Sequence, residues 1–218
     1  MTRAAENVTK EEKIVVFFDM CSSTRILEDL ISIGHLNVFR NVLIATKKFL
    51  QGKAIESSMD IYKFVGDGWV LLFPNYIPGK KLIETLTELS CFFHAQLDSR
   101  IEPLLQNTPK VMGLTFGIDM GTVVRMVMLG KREYIGRPLN VASRLQGAIK
   151  DRDKKPAYKV LLTKHAFKVL DLDRSKAKLV TRNLRNIFGG ERYECMKLSI
   201  KIPSDCKESR RRLQRSVA

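Results

Sequence analysis

An α+β fold, with a largely antiparallel central sheet covered by helices, is expected from three features of the sequence. The 218 residues are 44% hydrophobic, enough for one substantial core. Apolar β-rich runs and stretches with helical spacing are mixed rather than strictly alternating, which disfavours a doubly wound parallel sheet. Two of the apolar runs flank Val65-Gly66-Asp67-Gly68, and Gly beside Asp in so short a gap marks a hairpin.

Taken in order, Lys13 to Asp19 is an apolar run that ends abruptly in an acid, which suits a buried strand delivering a carboxylate at its tip. Ser22, Ser23 and Thr24 offer N-cap oxygens to a helix carrying Ile26, Leu27, Leu30 and Ile31. Helical spacing continues over 36–50 at Leu36, Phe39, Leu43 and Phe49. Ile61 to Phe64 and Trp69 to Phe73 are the hairpin strands. Leu82, Leu86, Leu89 and Phe93 form one face of a helix over 82–97. Val111 to Met120 and Thr122 to Leu129 read as two strands joined at Gly121. Leu139 to Ile149 reads as a helix, Lys159 to Leu162 as a strand, Lys164 to Leu170 as a helix and Tyr193 to Ile200 as the last strand. There is no internal repeat. The expected layout is a flexible N-terminus over 1–12, one domain over 13–202 and a basic polar tail over 203–218.

Lys and Arg outnumber Asp and Glu by 38 to 23, a net charge of +15, which implies an anionic partner: nucleic acid, anionic lipid or a nucleoside triphosphate. The densest basic run is Arg210-Arg211-Arg212 with Arg215. No apolar run is long enough to span a bilayer and residues 1–13 do not read as a secretory signal, so a cytoplasmic protein without a membrane partner is expected. Cys21, Cys91, Cys195 and Cys206 are scattered, without disulfide-scaffold density or zinc-site spacing, and read as free thiols in a reducing compartment.

The chemistry centres on two acids. Asp19 at a strand end and Asp67 in the hairpin would meet if their strands lie together, giving two carboxylates at one sheet edge. Hard oxygen ligands of that kind suit Mg²⁺ or Mn²⁺, which complete their shells with phosphate oxygens and water. Two such ions can activate a hydroxyl and hold a leaving pyrophosphate. Singly, each Asp also suits a helix cap or a hairpin turn.

Phe17-Phe18-Asp19-Met20-Cys21-Ser22-Ser23-Thr24 resembles the first metal motif of the class III adenylyl and guanylyl cyclases, and Lys63-Phe64-Val65-Gly66-Asp67-Gly68 is similar to their second. Gly117-Ile118 with Gly121 and Val123, and the segment Gly136 to Leu145 containing Asn140 and Arg144, resemble two further motifs of that family, in the family's order. The resemblance covers roughly residues 13 to 200 and implies a ferredoxin-like cyclase domain that converts a nucleoside triphosphate to a 3′,5′-cyclic monophosphate and pyrophosphate. It further implies Asp19 and Asp67 as ligands of two divalent cations, with the Met20 backbone carbonyl as an extra ligand. Asn140 would orient the ribose and Arg144 would stabilise charge developing on the α-phosphate, a task suited to a permanently charged planar fork. Arg185 stands where the family has a triphosphate-binding Lys. Family sites form between two domains, so a head-to-tail homodimer is implied.

The resemblance places Lys63 and Glu133 against the base. A cationic donor beside an anionic acceptor complements adenine, cytosine or uracil alike. Glu reaches further than Asp, and Arg132, Tyr134 and Arg137 add bulk nearby, which favours a smaller base. A short chain with a shortened segment from Gly121 to Gly136 and no sensory module ahead of it resembles the pyrimidine cyclases of Pycsar antiphage systems. That implies UTP or CTP as substrate, hence a uridylate or cytidylate cyclase making cUMP or cCMP as an antiviral signal, with ATP to cAMP as the alternative. A basic nucleic-acid-binding module is the rival from another class. Against it, the sequence lacks a recognised groove- or strand-reading motif, and no nucleic-acid partner is expected.

Overall fold

The computed structural model describes residues 8–150, 154–155, 157–203 and 206. Its elements are β1 (Thr9–Met20), α1 (Ser23–Ser32), α2 (Leu36–Ser57), β2 (Asp60–Val65), β3 (Gly68–Pro74), α3 (Gly79–Gln96), β4 (Leu114–Met128), β5 (Lys131–Ile135), α4 (Arg137–Gly147), β6 (Lys159–Thr163), α5 (Lys164–Val169), β7 (Lys178–Arg182) and β8 (Tyr193–Ser199). The strand order is β2-β3-β1-β4-β6-β8-β7, with β5 paired to β4 alone. The β4–β6 pair is parallel and the other pairs are antiparallel. The order β4-β1-β3-β2, with helices between β1 and β2 and between β3 and β4, is the expected ferredoxin-like arrangement.

Side chains alternate across a strand, and β1 uses both faces. Ile14, Val16, Phe18 and Met20 enter the main core, which Phe39, Val42 and Leu50 of α2 and Leu82, Leu86, Leu89 and Phe93 of α3 close from one side. Val15 and Phe17 point to the other face, where they pack with Val70, Leu72, Tyr134 and Ala142 of α4. That second face also carries Asp19, two residues beyond Phe17.

Two glycines are required by close approach. A Cβ on Gly117 would stand 2.0 Å from the Ala142 carbonyl oxygen, so α4 lies directly on β4. A Cβ on Gly68 would stand 1.9 Å from the Phe18 carbonyl oxygen, so the β2–β3 hairpin presses against the tip of β1.

Several sequence expectations change. β1 extends back to Thr9 because Thr9 to Lys13 pair with Arg125 to Gly121. Residues 9–12 thus belong to the sheet rather than to a flexible N-terminus; of the remaining residues of that segment, 1–7 lie outside the described residues. Gly121 does not divide two strands: β4 runs through it, and the missing side chain leaves room for Pro138, whose Cγ is 3.2 Å from where a Cβ would be. Strands β5 and β7 escape a search for apolar runs because Lys131-Arg132-Glu133 and the polar Lys178, Thr181 and Arg182 suit exposed edges. Ser22 occupies the N-cap of α1 with left-handed φ of 62° and makes no cap hydrogen bond. Its hydroxyl instead donates to the Val111 carbonyl at 3.0 Å, a consequence of the sharp strand-to-helix turn.

Cys21 and Cys195 form no disulfide, as expected, and both are buried. Cys91 and Cys206 are not free: they are bonded, with Cα atoms 5.8 Å apart, joining residue 206 to α3. A separation of 115 residues gives no spacing signal. Cysteine usage therefore gives no support to a reducing compartment. The run Arg210 to Arg215 lies outside the described residues. Among the described residues no helix is long and apolar enough to cross a membrane.

Gly68→Ala should lower unfolding stability by about 1–3 kcal/mol, the usual effect of overpacking a tight contact, measured by urea denaturation. Gly66→Ala, at positive φ but in open space, should cost less, about 1 kcal/mol. Equal effects would show that the hairpin does not press on β1.

Candidate active site

Asp67 occupies the second position of the turn between β2 and β3, where Gly66 takes a left-handed φ of 68° and Val65 pairs with Gly68. Because β3 pairs with β1 in the register Phe18↔Trp69, the turn projects at the tip of β1. The Met20 amide there donates to Asp67 Oδ2 at 3.2 Å. Asp19 and Asp67 are brought together as the sequence predicts. Burial first, then the adjoining Asp19 carboxylate, push Asp67 up to about 6, against the pull of the Ser23 hydroxyl.

Asp19 is held from below. The Gln146 side-chain amide donates to Asp19 Oδ2 at 3.2 Å and to Thr115 Oγ1 at 2.9 Å. Gln146 is buried in α4, and its reach to Asp19 follows from the close seat of α4 on Gly117. Sequence reasoning missed it. It lies two residues, about 200°, round the helix from Arg144, on the side that faces the sheet.

Two half-buried carboxylates side by side form a site that favours a cation, since bringing like charges together raises the energy of the ionised pair. Among the described residues no group of three or more His, Cys, Asp or Glu converges. The donor set is thus hard oxygen without nitrogen or sulfur, which fits Mg²⁺ or Mn²⁺ completing their shells with phosphate and water. By contrast, the buried Asp119 accepts from the Thr163 hydroxyl at 2.8 Å, and that hydroxyl also caps α5.

A second group assembles where β5 folds over β2. Lys63 Nζ lies 3.7 Å from Glu133 Oε2, so this predicted pair does meet. Tyr62, which the sequence did not single out, donates to the same Glu133 oxygen at 2.6 Å. Hydrogen bonding to Tyr62, with the nearby Lys63 charge, holds Glu133 below the ordinary carboxylate range. The three residues expected to crowd a base are engaged elsewhere. Tyr134 is packed in the second core, Arg132 lies 3.8 Å from Asp60, and Arg137 reaches Tyr193.

Asn140 and Arg144 are exposed, one turn apart on α4. The residue of this helix that reaches Asp19 is Gln146, from the opposite side. Arg185 is exposed in the turn that precedes β8.

No protein-family model and no curated protein sequence matches the chain. Solved structures do match. The adenylyl cyclase CyaB from P. aeruginosa aligns with TM-score 0.64 and 17% identity over 91% of this chain and 98% of that one. This chain has the fold of nucleotide-cyclase catalytic domains. An adenylate cyclase from Trypanosoma brucei, solved in its monomeric state, aligns with TM-score 0.61 and 16% identity over 89% of this chain and 90% of its own. The catalytic core of a rhodopsin-guanylyl cyclase with converted specificity, in complex with ATPαS, aligns with TM-score 0.57 and 14% identity over 89% and 99%. At these identities the likeness is one of fold alone.

Two outcomes follow from the cyclase-fold geometry. An acid whose folded pKa is raised destabilises the folded state once it ionises. The metal-free protein should therefore lose stability as pH rises from about 4 past 6. Asp67→Asn should flatten that decline, and Mn²⁺ at pH 7 should raise the melting temperature of the native protein but not of the variant, measured by calorimetry. Gln146→Ala should weaken Mn²⁺ binding by about 10- to 100-fold, as loss of a ligand's orienting partner does, measured by titration of Mn²⁺ against its paramagnetic resonance signal.

Proposed function

We propose that the protein is a nucleotidyl cyclase, a phosphorus-oxygen lyase that closes a nucleoside triphosphate into a 3′,5′-cyclic monophosphate and releases pyrophosphate. The observation that carries this reading is the meeting of Asp19 and Asp67 at the tip of β1, on the fold of a cyclase domain. Asp19, Asp67 and the Met20 carbonyl would hold two divalent cations, Mn²⁺ or Mg²⁺. Bound there, the cations would lower the pKa of the ribose 3′-hydroxyl and balance the charge of the departing pyrophosphate. The 3′-oxygen forms a bond to the α-phosphorus, the bond from that phosphorus to the β-phosphate bridge oxygen breaks, and the hydroxyl proton passes to solvent.

Asn140 and Arg144 serve the ribose and the α-phosphate in this reading, and Arg185 the triphosphate. Their exposure on α4 and in the turn before β8 supports use against a nucleotide held by a second copy, in a head-to-tail homodimer. The tip of the β4–β5 hairpin supports the same assembly: Met128 is 51% and Leu129 98% exposed, an apolar projection suited to a partner surface.

Lys63 and Glu133 face the base. The finer proposal is a pyrimidine substrate, UTP or CTP, whose cyclic product would serve as an antiphage signal. Tyr62 supports it by filling space beside both residues, its ring 5.8 Å from the Lys63 ammonium and its hydroxyl on Glu133. ATP is the second reading, favoured by Lys63 standing where the adenylyl pattern has it.

Incubation of the purified protein with Mn²⁺ and each of ATP, GTP, CTP and UTP, followed by mass identification, should yield a cyclic monophosphate, with a pyrimidine preferred. Asp67→Ala should abolish product from every nucleotide. Absence of cyclic product from all four would overturn the reading, and turnover in Asp67→Ala would overturn the metal assignment.

A further inference from the structure

Glu133, assigned to the base in the proposed function, is contacted by a residue outside the recognised motifs, Tyr62. In the β2–β3 pairing Ile61 opposes Leu71 and Lys63 opposes Val70, leaving Tyr62 as the extra residue of a β-bulge. Bulges re-aim side chains, often beside functional sites. Tyr62 packs in the second core with Val70, on the face toward which Lys63 also points. There its ring meets Tyr134 edge-on, with centroids 5.1 Å apart.

The Tyr62 hydroxyl is fully used. It accepts from the Tyr134 amide at 3.1 Å and donates to Glu133 Oε2 at 2.6 Å, with the Tyr134 carbonyl at 3.3 Å. The Tyr134 amide is a fixed reference, because β5 is held to β4 through Arg125↔Tyr134. The short bond to a carboxylate is of the strong, charge-assisted kind. Lys63 Nζ stands against the same Oε2 at 3.7 Å. Each carboxylate oxygen has two lone-pair directions; on Oε2 the phenol takes one by hydrogen bond, and the Lys63 ammonium crowds the other at ion-pair distance. Among the described residues no hydrogen bond or ion pair engages Oε1, which is left as the acceptor for a ligand.

We propose that Tyr62 is a positioning residue that holds Glu133 as a single-acceptor reader of the base and thereby discriminates against guanine; this rests on the cyclase reading, in which Lys63 and Glu133 face the base. Adenine and cytosine present one amino donor beside a ring-nitrogen acceptor, and uracil one N–H beside a carbonyl. Each is matched by one free carboxylate oxygen and the Lys63 ammonium. Guanine presents two donors side by side, its ring N–H and its amino group, and these call for both oxygens of a carboxylate. With Oε2 engaged, one guanine donor goes unpaired in the site. An unpaired buried donor lowers affinity by about tenfold or more.

The test is the affinity of the α,β-methylene analogues of ATP, GTP, CTP and UTP in Mn²⁺, which cannot release pyrophosphate, for the native protein, Tyr62→Phe, Glu133→Ala and the double variant. Tyr62→Phe keeps the ring and removes only the hydroxyl. The expected result is that the affinity for the guanine analogue, relative to the best-bound analogue, rises at least about tenfold in Tyr62→Phe. In the Glu133→Ala background the same change should leave the ratios as Glu133→Ala alone sets them. Unchanged ratios in Tyr62→Phe, an equal loss for all four analogues, an equal shift without Glu133, or no binding of any analogue to the native protein would each overturn the proposal. Failure of the cyclase reading is distinguishable: analogues would bind in the native order while none of the four triphosphates gave a cyclic product.

Discussion

Two carboxylates that repel each other are held together at the end of β1, and most of the architecture follows from how this is done. The hairpin that carries Asp67 reaches Asp19 because Gly68 lacks a side chain where the Phe18 carbonyl lies. Asp19 in turn is oriented by Gln146, which is in range because Gly117 lets the backbone of α4 settle on β4. Two close approaches of backbone to backbone, each needing glycine, thus fix the two acids. The cost appears, after that of burial, in the raised pKa of Asp67, and a bound cation would offset it.

The two faces of the sheet divide the work. On one, α2 and α3 seal a large aliphatic and aromatic core around Phe18, Phe73, Phe93 and Phe116, which makes the sheet a rigid platform. On the other, a smaller cluster around Val15, Val70 and Tyr134 leaves Asp19 half-buried and brings Tyr62, Lys63 and Glu133 together. The acids and the Lys63–Glu133 pair sit in one chain as separate groups, while Asn140 and Arg144 face outward. This separation is what makes a second copy part of the proposed site.

Much of this is legible in the sequence where a residue's role is local. The apolar run ending in Asp19, the Gly-Asp turn and the amphipathic α3 each carry their own signal, and the order of the motifs carries the fold. What escapes depends on distant partners. Gln146 looks like any helix glutamine until α4 is seated on Gly117. Tyr62 looks like an ordinary strand aromatic until the bulge turns it toward Glu133. The edge strands β5 and β7 are charged because they border solvent, so an apolar search passes over them. Cys91 and Cys206 are brought together only by the packed domain, and Tyr134, read as bulk beside a base, is taken up by the core.

The measurement that bears most directly on a cyclase site shared between two copies is complementation between Asp67→Ala and Arg144→Ala, each assayed alone and then mixed at equal concentration with Mn²⁺ and the preferred triphosphate. Each variant alone should be inactive. The mixture should recover about a quarter of native activity, because half of the randomly paired dimers are mixed and each mixed dimer holds one intact site. A mixture as inactive as its components, beside an active native protein, would contradict a site built from two copies.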